Sequence, residues 1–263
     1  MPQNLLDLTG KVALITGGNS GLGLGFARGL AKSGADVVIW GRSADKNAAA
    51  EEELAQHGVR VMSAQVGVED EAAVAAGIRD AIEEFGRLDC VIANAGIATP
   101  VPSVLELDSD TYHHLLNINQ HGGFYTLREA ARHMVERANN GHEGGSLVVC
   151  GSLAVFIGSQ GMAHYGAAKG ALAAMMKSMA VDLGRYGIRV NMIAPGYIKT
   201  DIARHADEAM VKAADEMFAR RTPIPRVGYP EDFEGIAAYL ASDASSFHTG
   251  DIIVVDGGYL NAL

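Results

Sequence analysis

Cysteine is scarce in this chain. The two residues, Cys90 and Cys150, each sit inside an apolar run (LDCVIA and SLVVC), a setting that suits reduced core thiols and leaves no disulfide framework. No uncharged apolar segment reaches the ~18 residues needed to cross a bilayer. The opening MPQNLLDLTGK carries no basic region followed by an apolar stretch, and these two absences together lead to the expectation of a cytoplasmic protein with no membrane partner. Positive charge is in deficit, with 21 Lys and Arg against 31 Asp and Glu and a net charge of -10. That balance repels phosphate backbones, which argues against nucleic acid as the main partner. Linkers, internal repeats and low-complexity tracts are missing, so residues 1–263 are expected to form one domain. A hydrophobic content of 48% excludes a disordered chain.

Glycine, by contrast, is abundant: 32 of 263 residues, about 12% against a usual ~7%. Many positions must therefore need positive φ or close backbone approach, which points to a ligand held by the main chain. Seven apolar runs, KVALIT, ADVVIW, VRVMSA, LDCVIA, SLVVC, IRVNMIA and DIIVVD, read as buried parallel strands. Helix-length segments lie between them at 21–33, 44–57, 69–85, 109–137, 162–186 and 230–241. The alternation predicts an α/β fold, a doubly wound parallel sheet of about seven strands with helices on both faces. Two stretches break the rhythm. The polar NNGHEGG at 139–145 is expected as a surface loop, and the insertion 200–227 is expected to cover a substrate.

Directly after the first strand comes Thr16-Gly17-Gly18-Asn19-Ser20-Gly21-Leu22-Gly23, followed by a helix with Leu22, Phe26 and Leu30 on its apolar face. Such a turn aims backbone N–H groups at a pyrophosphate at the positive end of the helix dipole. At the end of the second strand stand Trp40, Gly41 and Arg42, with no carboxylate. A guanidinium there suits the 2'-phosphate of NADP(H), the favoured cofactor, with NAD(H) as the alternative. An aspartate at position 41 is accordingly expected to shift selectivity towards NAD(H).

Tyr165 and Lys169 lie four apart in a helical segment, which places them on one face about one turn apart. An ammonium so placed is expected to depress the phenol's pKa and bring it towards working proton donor and acceptor. Ser152 follows the fifth apolar run, at the sheet edge where ligands bind, and its hydroxyl is suited to hold a carbonyl. Asn119, inside the long segment 109–137, is expected to interrupt the helical ladder and hold water beside Lys169.

Together these residues resemble the short-chain dehydrogenase/reductase family in its single-domain form, over essentially the whole chain. The family's TGxxxGxG pattern is met by Thr16, Gly17, Gly21 and Gly23. Its Asn-Ser-Tyr-Lys tetrad is met by Asn119, Ser152, Tyr165 and Lys169, and PGxxxT by Pro195, Gly196 and Thr200. Asn94-Ala95-Gly96 and Asp256-Gly257-Gly258 also fit. The resemblance implies a Rossmann-like fold and an NAD(P)-dependent oxidoreductase acting on a small carbonyl or secondary alcohol. Tyr165 would be the general acid/base, Ser152 would orient the carbonyl, Lys169 would bind the nicotinamide ribose and Asn119 would hold a relay water. Cofactor contacts would come from Gly17, Asn19, Ser20, Gly21, Leu22 and Gly23, from Arg42 and Val68, and from Asn94, Ala95 and Gly96. Pro195, Gly196, Ile198 and Thr200 would meet the nicotinamide side, and the assembly would be a homotetramer or dimer. Two departures, Ala93 in place of the family's usual asparagine and Gly67 in place of a common aspartate, bear on adenine binding and not on hydride chemistry.

Other features are read more plainly. His113, His114 and His121 lack a completing ligand set, so no metal is expected. His164, next to Tyr165, is expected to face solvent in its helix's first turn, with a place bordering the substrate as the alternative, and Met175, Met176 and Met179 are expected to lie in the core. The small residues Gly166, Ala167, Gly170, Ala171, Ala173 and Ala174 are expected to form a subunit contact. A 3-oxoacyl-thioester reductase is the alternative specific activity, and a non-catalytic cofactor-binding regulator is the alternative in another class.

Overall fold

The computed structural model describes residues 4–142, 144–200 and 208–262. All seven apolar runs form strands: β1 (Val12–Thr16), β2 (Asp36–Trp40), β3 (Val61–Ala64), β4 (Cys90–Ala93), β5 (Gly145–Cys150), β6 (Ile188–Pro195) and β7 (Ile252–Val255). They make one sheet in the order β3-β2-β1-β4-β5-β6-β7, and every neighbouring pair is parallel. The strand order reverses between β1 and β4. Beyond the carboxyl ends of those strands lies the crevice in which such sheets take ligands.

Strand residues alternate between two cores because successive side chains point to opposite faces. Leu14, Val38, Val91, Leu147 and Val190 belong to one cluster, while Ala13, Ile15, Ile39, Ile92 and Val148 belong to the other. On the first face lie α3 (Glu71–Phe85), α5 (Gly122–Asn139) and α6 (Ala163–Leu183). On the second lie α1 (Gly21–Lys32), α2 (Ala44–Ala55) and α8 (Glu234–Ala241). Ile15, Ile39 and Ile92 are fully buried, and each such side chain contributes about 1.5–3 kcal/mol. Met176 is core, with Met175 and Met179 packed at its margin.

Local chemistry sets the helix ends. The Asp70 carboxylate accepts hydrogen bonds from the Ala72 and Ala73 N–H groups at the start of α3, which stops at Gly86 with φ 78°, a left-handed conformation that costs glycine little. Helix α1 leans directly on the turn that leads into α8: a Cβ at Gly25 would stand 2.4 Å from Pro230 O, and one at Gly29 would stand 2.3 Å from Glu234 O.

The segment 109–137 is not one helix. It divides into α4 (Ser109–Leu116), a π-helical turn (Asn117–His121) and α5. Asn119 accounts for the break: its Oδ1 accepts from the Ile97 N–H and its Nδ2 donates to the Ile97 carbonyl, both at 2.8 Å. These bonds draw the turn towards the end of β4 and lengthen the ladder by one residue. The insertion holds α7 (Glu208–Arg221), which the sequence pattern did not predict. The expected cover at 200–227 lies partly outside the described residues.

Candidate active site

At the end of β1 the Thr16 hydroxyl is buried and accepts from the N–H groups of Asn94 (3.0 Å) and Ala95 (2.9 Å). Asn94 Nδ2 returns a bond to Thr16 O at 2.9 Å. The carboxyl ends of β1 and β4 are thereby tied together under the glycine turn. Gly17 and Gly21 adopt φ of 65° and 53°, and a Cβ at Gly23 would stand 2.1 Å from Gly17 O. Only glycine lets the turn fold this closely onto the first turn of α1. Ser20 precedes α1 in extended conformation and makes no side-chain cap. The helix's first N–H groups are thus available to an anion, and a pyrophosphate fits this cradle in shape and charge. Leu22 packs against the core behind the turn.

On the adenosine side, Asn19 Nδ2 donates to Asn47 Oδ1 at 2.7 Å, and Asn47 Nδ2 donates to the carbonyls of Gly41 and Ala64, both at 3.1 Å. Arg42 is exposed, and its guanidinium has no partner among the described residues. Val68 is buried against Gly122. Sequence reasoning missed Lys46, which shares with Asn19, Ser20, Gly21 and Thr200 a cleft of about 380 Å³. Its position three residues into α2 carries no motif, and only the packing of α2 beside the glycine turn reveals it.

Lys169 and Tyr165 lie beyond the end of β5, which Ser152 follows. Lys169 is buried, donates its ammonium to Cys150 O at 2.7 Å, and holds Nζ 5.7 Å from the centroid of the Tyr165 ring. Ser152 Oγ accepts from the Ala154 N–H at 3.1 Å, leaving the hydroxyl hydrogen to donate elsewhere. Asn119 meets the site through Gly96, where a Cβ would stand 3.2 Å from Asn119 Oδ1. Ile97 makes one bond with each polar atom of the Asn119 amide, which leaves one lone pair and one hydrogen for a further partner.

Pro195 ends β6, and a Cβ at Gly196 would stand 2.7 Å from Asp256 Cβ, so the turn after Pro195 packs on the Asp256 turn. Ile198 forms a bridge with Gly228. Thr200 lies over the glycine turn, its Cβ 3.3 Å from where a Cβ on Gly21 would be. Helix α7 docks on this strap: Tyr197 stacks on Phe218 with centroids 4.2 Å apart, and Asp215 takes bonds from the Tyr197 hydroxyl (3.0 Å) and Lys199 Nζ (2.9 Å). Burial, and then the Asp215 bond, push the Tyr197 phenol up to about 12.

Two further expectations are corrected. His164 does not face solvent: it is fully buried, because the loop after β4 lies over it. Ala173 belongs to the core, so the small-residue face of α6 reduces to Gly166, Ala167, Gly170, Ala171 and Ala174.

A family model described as Enoyl-(Acyl carrier protein) reductase matches residues 17–260. The chain belongs to the short-chain dehydrogenase/reductase family. Within that family it is similar to sorbose reductase of Schizosaccharomyces pombe, 37% identical over 97% of this chain and 98% of that protein. It is 38% identical to the NADP-dependent (R)-specific alcohol dehydrogenase of Lentilactobacillus kefiri over 96% and 97% of the two chains. The crystal structure of a gluconate 5-dehydrogenase from Burkholderia cenocepacia in complex with NADP and tartrate superposes with a TM-score of 0.89 at 35% identity, covering 98% of each chain.

Proposed function

We propose that this short-chain dehydrogenase/reductase interconverts a small polyhydroxy ketone, of the sugar or sugar-acid class, with its secondary alcohol, and that it prefers NADP(H) over NAD(H). The observation that carries the reading is the buried Lys169, whose ammonium is held by Cys150 O at the end of β5 and lies 5.7 Å from the Tyr165 ring, with Ser152 two residues beyond Cys150. A nicotinamide dinucleotide seated in the cradle supplies or accepts the hydride. In the reductive direction the Tyr165 hydroxyl would pass its proton to the carbonyl oxygen as the carbonyl carbon is reduced. Ser152 donates to the same oxygen, and the Lys169 ammonium stabilises negative charge left on the phenol oxygen.

Support for NADP(H) comes from Arg42 without an acidic neighbour at the end of β2, from Lys46 in the same region, and from the NADP named for two relatives. The sugar-type substrate rests on the sorbose and gluconate relatives. We place the chain in the cytoplasm as a single-domain homotetramer or dimer. No described helix is long and apolar enough to cross a membrane, both described cysteines are unpaired, and the α6 face around Gly170 has open space in front of it.

The test is NADPH and NADH oxidation over a panel of ketoses, keto-sugar acids, small ketones and 3-oxoacyl thioesters. A higher kcat/KM with NADPH and a ketose or keto acid is expected. Tyr165→Phe should lose about 10²–10⁴-fold in kcat with cofactor affinity within a few-fold. Higher kcat/KM with NADH, or preference for acyl thioesters, would overturn the respective assignment.

A further inference from the structure

The loop after β4 is fastened at several points to the segment that leads from Ser152 into the Tyr165 helix. Asn119 holds both backbone groups of Ile97 at 2.8 Å. Two residues on, the Thr99 carbonyl is bonded by His164 Nε2 at 3.0 Å. The Val101 N–H donates to Gly161 O at 3.2 Å, and Gln160 Nε2 donates to Pro102 O at 3.3 Å. The two segments approach so closely that a Cβ at Gly161 would stand 1.8 Å from Val101 O. Loop 97–103 is thereby registered against residues 160–164, and the last of these precedes Tyr165.

Of these fastenings only His164 combines a fully buried ring with a bond that reaches an exposed residue. A carbonyl oxygen can only accept, so Nε2 carries a hydrogen. Nδ1 is itself buried and has no partner among the described residues. An apolar side chain would fill this site without that unpaired nitrogen. Its presence is explained by the task of delivering one donor, from the first turn of the catalytic helix, to the pocket wall.

We propose that His164 is a positioning residue: through its bond to Thr99 it locks loop 97–103 against the first turn of α6, and so sets the substrate-side wall of the pocket relative to the Tyr165 hydroxyl. This rests on the assignment of Tyr165 as the acid/base. The lock acts on the ketone more than on the dinucleotide, because the His164–Thr99 bond lies beyond Asn94-Ala95-Gly96 and the glycine cradle shares none of these bonds. It makes the pocket discriminate by substrate size.

The experiment compares wild type, His164→Gln, His164→Leu and Gly161→Ala in the full chain. Glutamine places an amide donor near the Nε2 position, leucine offers none, and Gly161→Ala pushes the loop away while His164 is kept. For His164→Leu, KM for the ketone should rise about ten-fold, with NADPH affinity by fluorescence titration within about two-fold. The ratio of kcat/KM between small and bulky ketones should narrow. Hydrogen exchange at amides 97–103 should accelerate about ten-fold. Glutamine should restore most of each property, and Gly161→Ala should reproduce the leucine phenotype even if His164→Leu fails to fold. Unchanged loop exchange and KM in the leucine variant, or parallel loss of ketone and NADPH binding, would overturn the proposal. If instead Tyr165→Phe keeps full turnover, the catalytic reading fails, while loop exchange in the His164 variants still decides whether the lock exists.

Discussion

Asn19 and Asn47, 28 residues apart, share a side-chain hydrogen bond of 2.7 Å that closes the space beside Gly41. A Cβ at position 41 would stand 2.0 Å from Asn19 Nδ2 and 2.5 Å from Asn47 Oδ1. The expectation that an aspartate at 41 simply redirects the enzyme to NAD(H) therefore needs a second change. Gly41→Asp alone should displace Asn19 and weaken both cofactors. Gly41→Asp with Asn19→Gly should recover NADH turnover and leave NADPH poor. Steady-state kcat/KM for both cofactors checks this, and efficient NADH use by the single variant would contradict it.

Gly23→Ala tests the cradle. With its new methyl 2.1 Å from Gly17 O, the turn must open, and amides at the start of α1 lose their common focus. Cofactor affinity should fall at least ten-fold, about 1.4 kcal/mol, in fluorescence titration, while circular dichroism stays close to wild type.

Asp215 joins α7 to the strap that carries Ile198 and Thr200. The Lys199 bond, followed by that from Tyr197, holds its carboxyl below the usual range. A depressed carboxylate contributes stability above its unfolded pKa, and this is lost as pH falls through the folded value. Asp215→Asn should raise KM for cofactor and ketone together at neutral pH, and the variant's KM should depend less on pH than wild type on the acid side. Equal KM values for the two proteins across that range would refute the docking role.

His133 offers a stability test away from the site. Its Nε2 accepts from the Leu88 N–H at 3.2 Å, which requires the neutral ring at that nitrogen. Burial, and then the Arg137 charge, lower its pKa from 6.5. The unfolded chain thus binds the proton more readily. The contribution is complete above about 6.5 and declines as pH falls through the folded value. Urea unfolding between pH 7.5 and 5 should show a shallower decline for His133→Gln than for wild type.

The strands were legible because β1, β2, β4, β5 and β6 are buried on both faces, which demands unbroken apolar runs. The glycine turn and the one-turn spacing of Tyr165 and Lys169 on α6 were legible because each obeys a short spacing rule. What stayed hidden depends on partners far along the chain. Asn119 looks like any helix residue until Ile97 claims both its polar atoms, and the π-helical turn keeps enough periodicity to pass for continuous helix. His164 resembles a surface residue beside Tyr165 until the loop 97–103 covers it. Lys46 and Asn47 gain their positions only when α2 packs beside the glycine turn.

The bare backbone of α1 at Gly25 and Gly29 touches Pro230 and Glu234, and Phe26 meets Phe233 edge-on with centroids 6.0 Å apart. During synthesis, then, the helix that crowns the dinucleotide cradle waits for residues translated long after it. A ribosome stalled before Pro230 would display Phe26 and Leu30 to water, a surface suited to chaperones. Dinucleotide added to such stalled chains should not protect them from protease, whereas release of the finished chain should make protection abrupt.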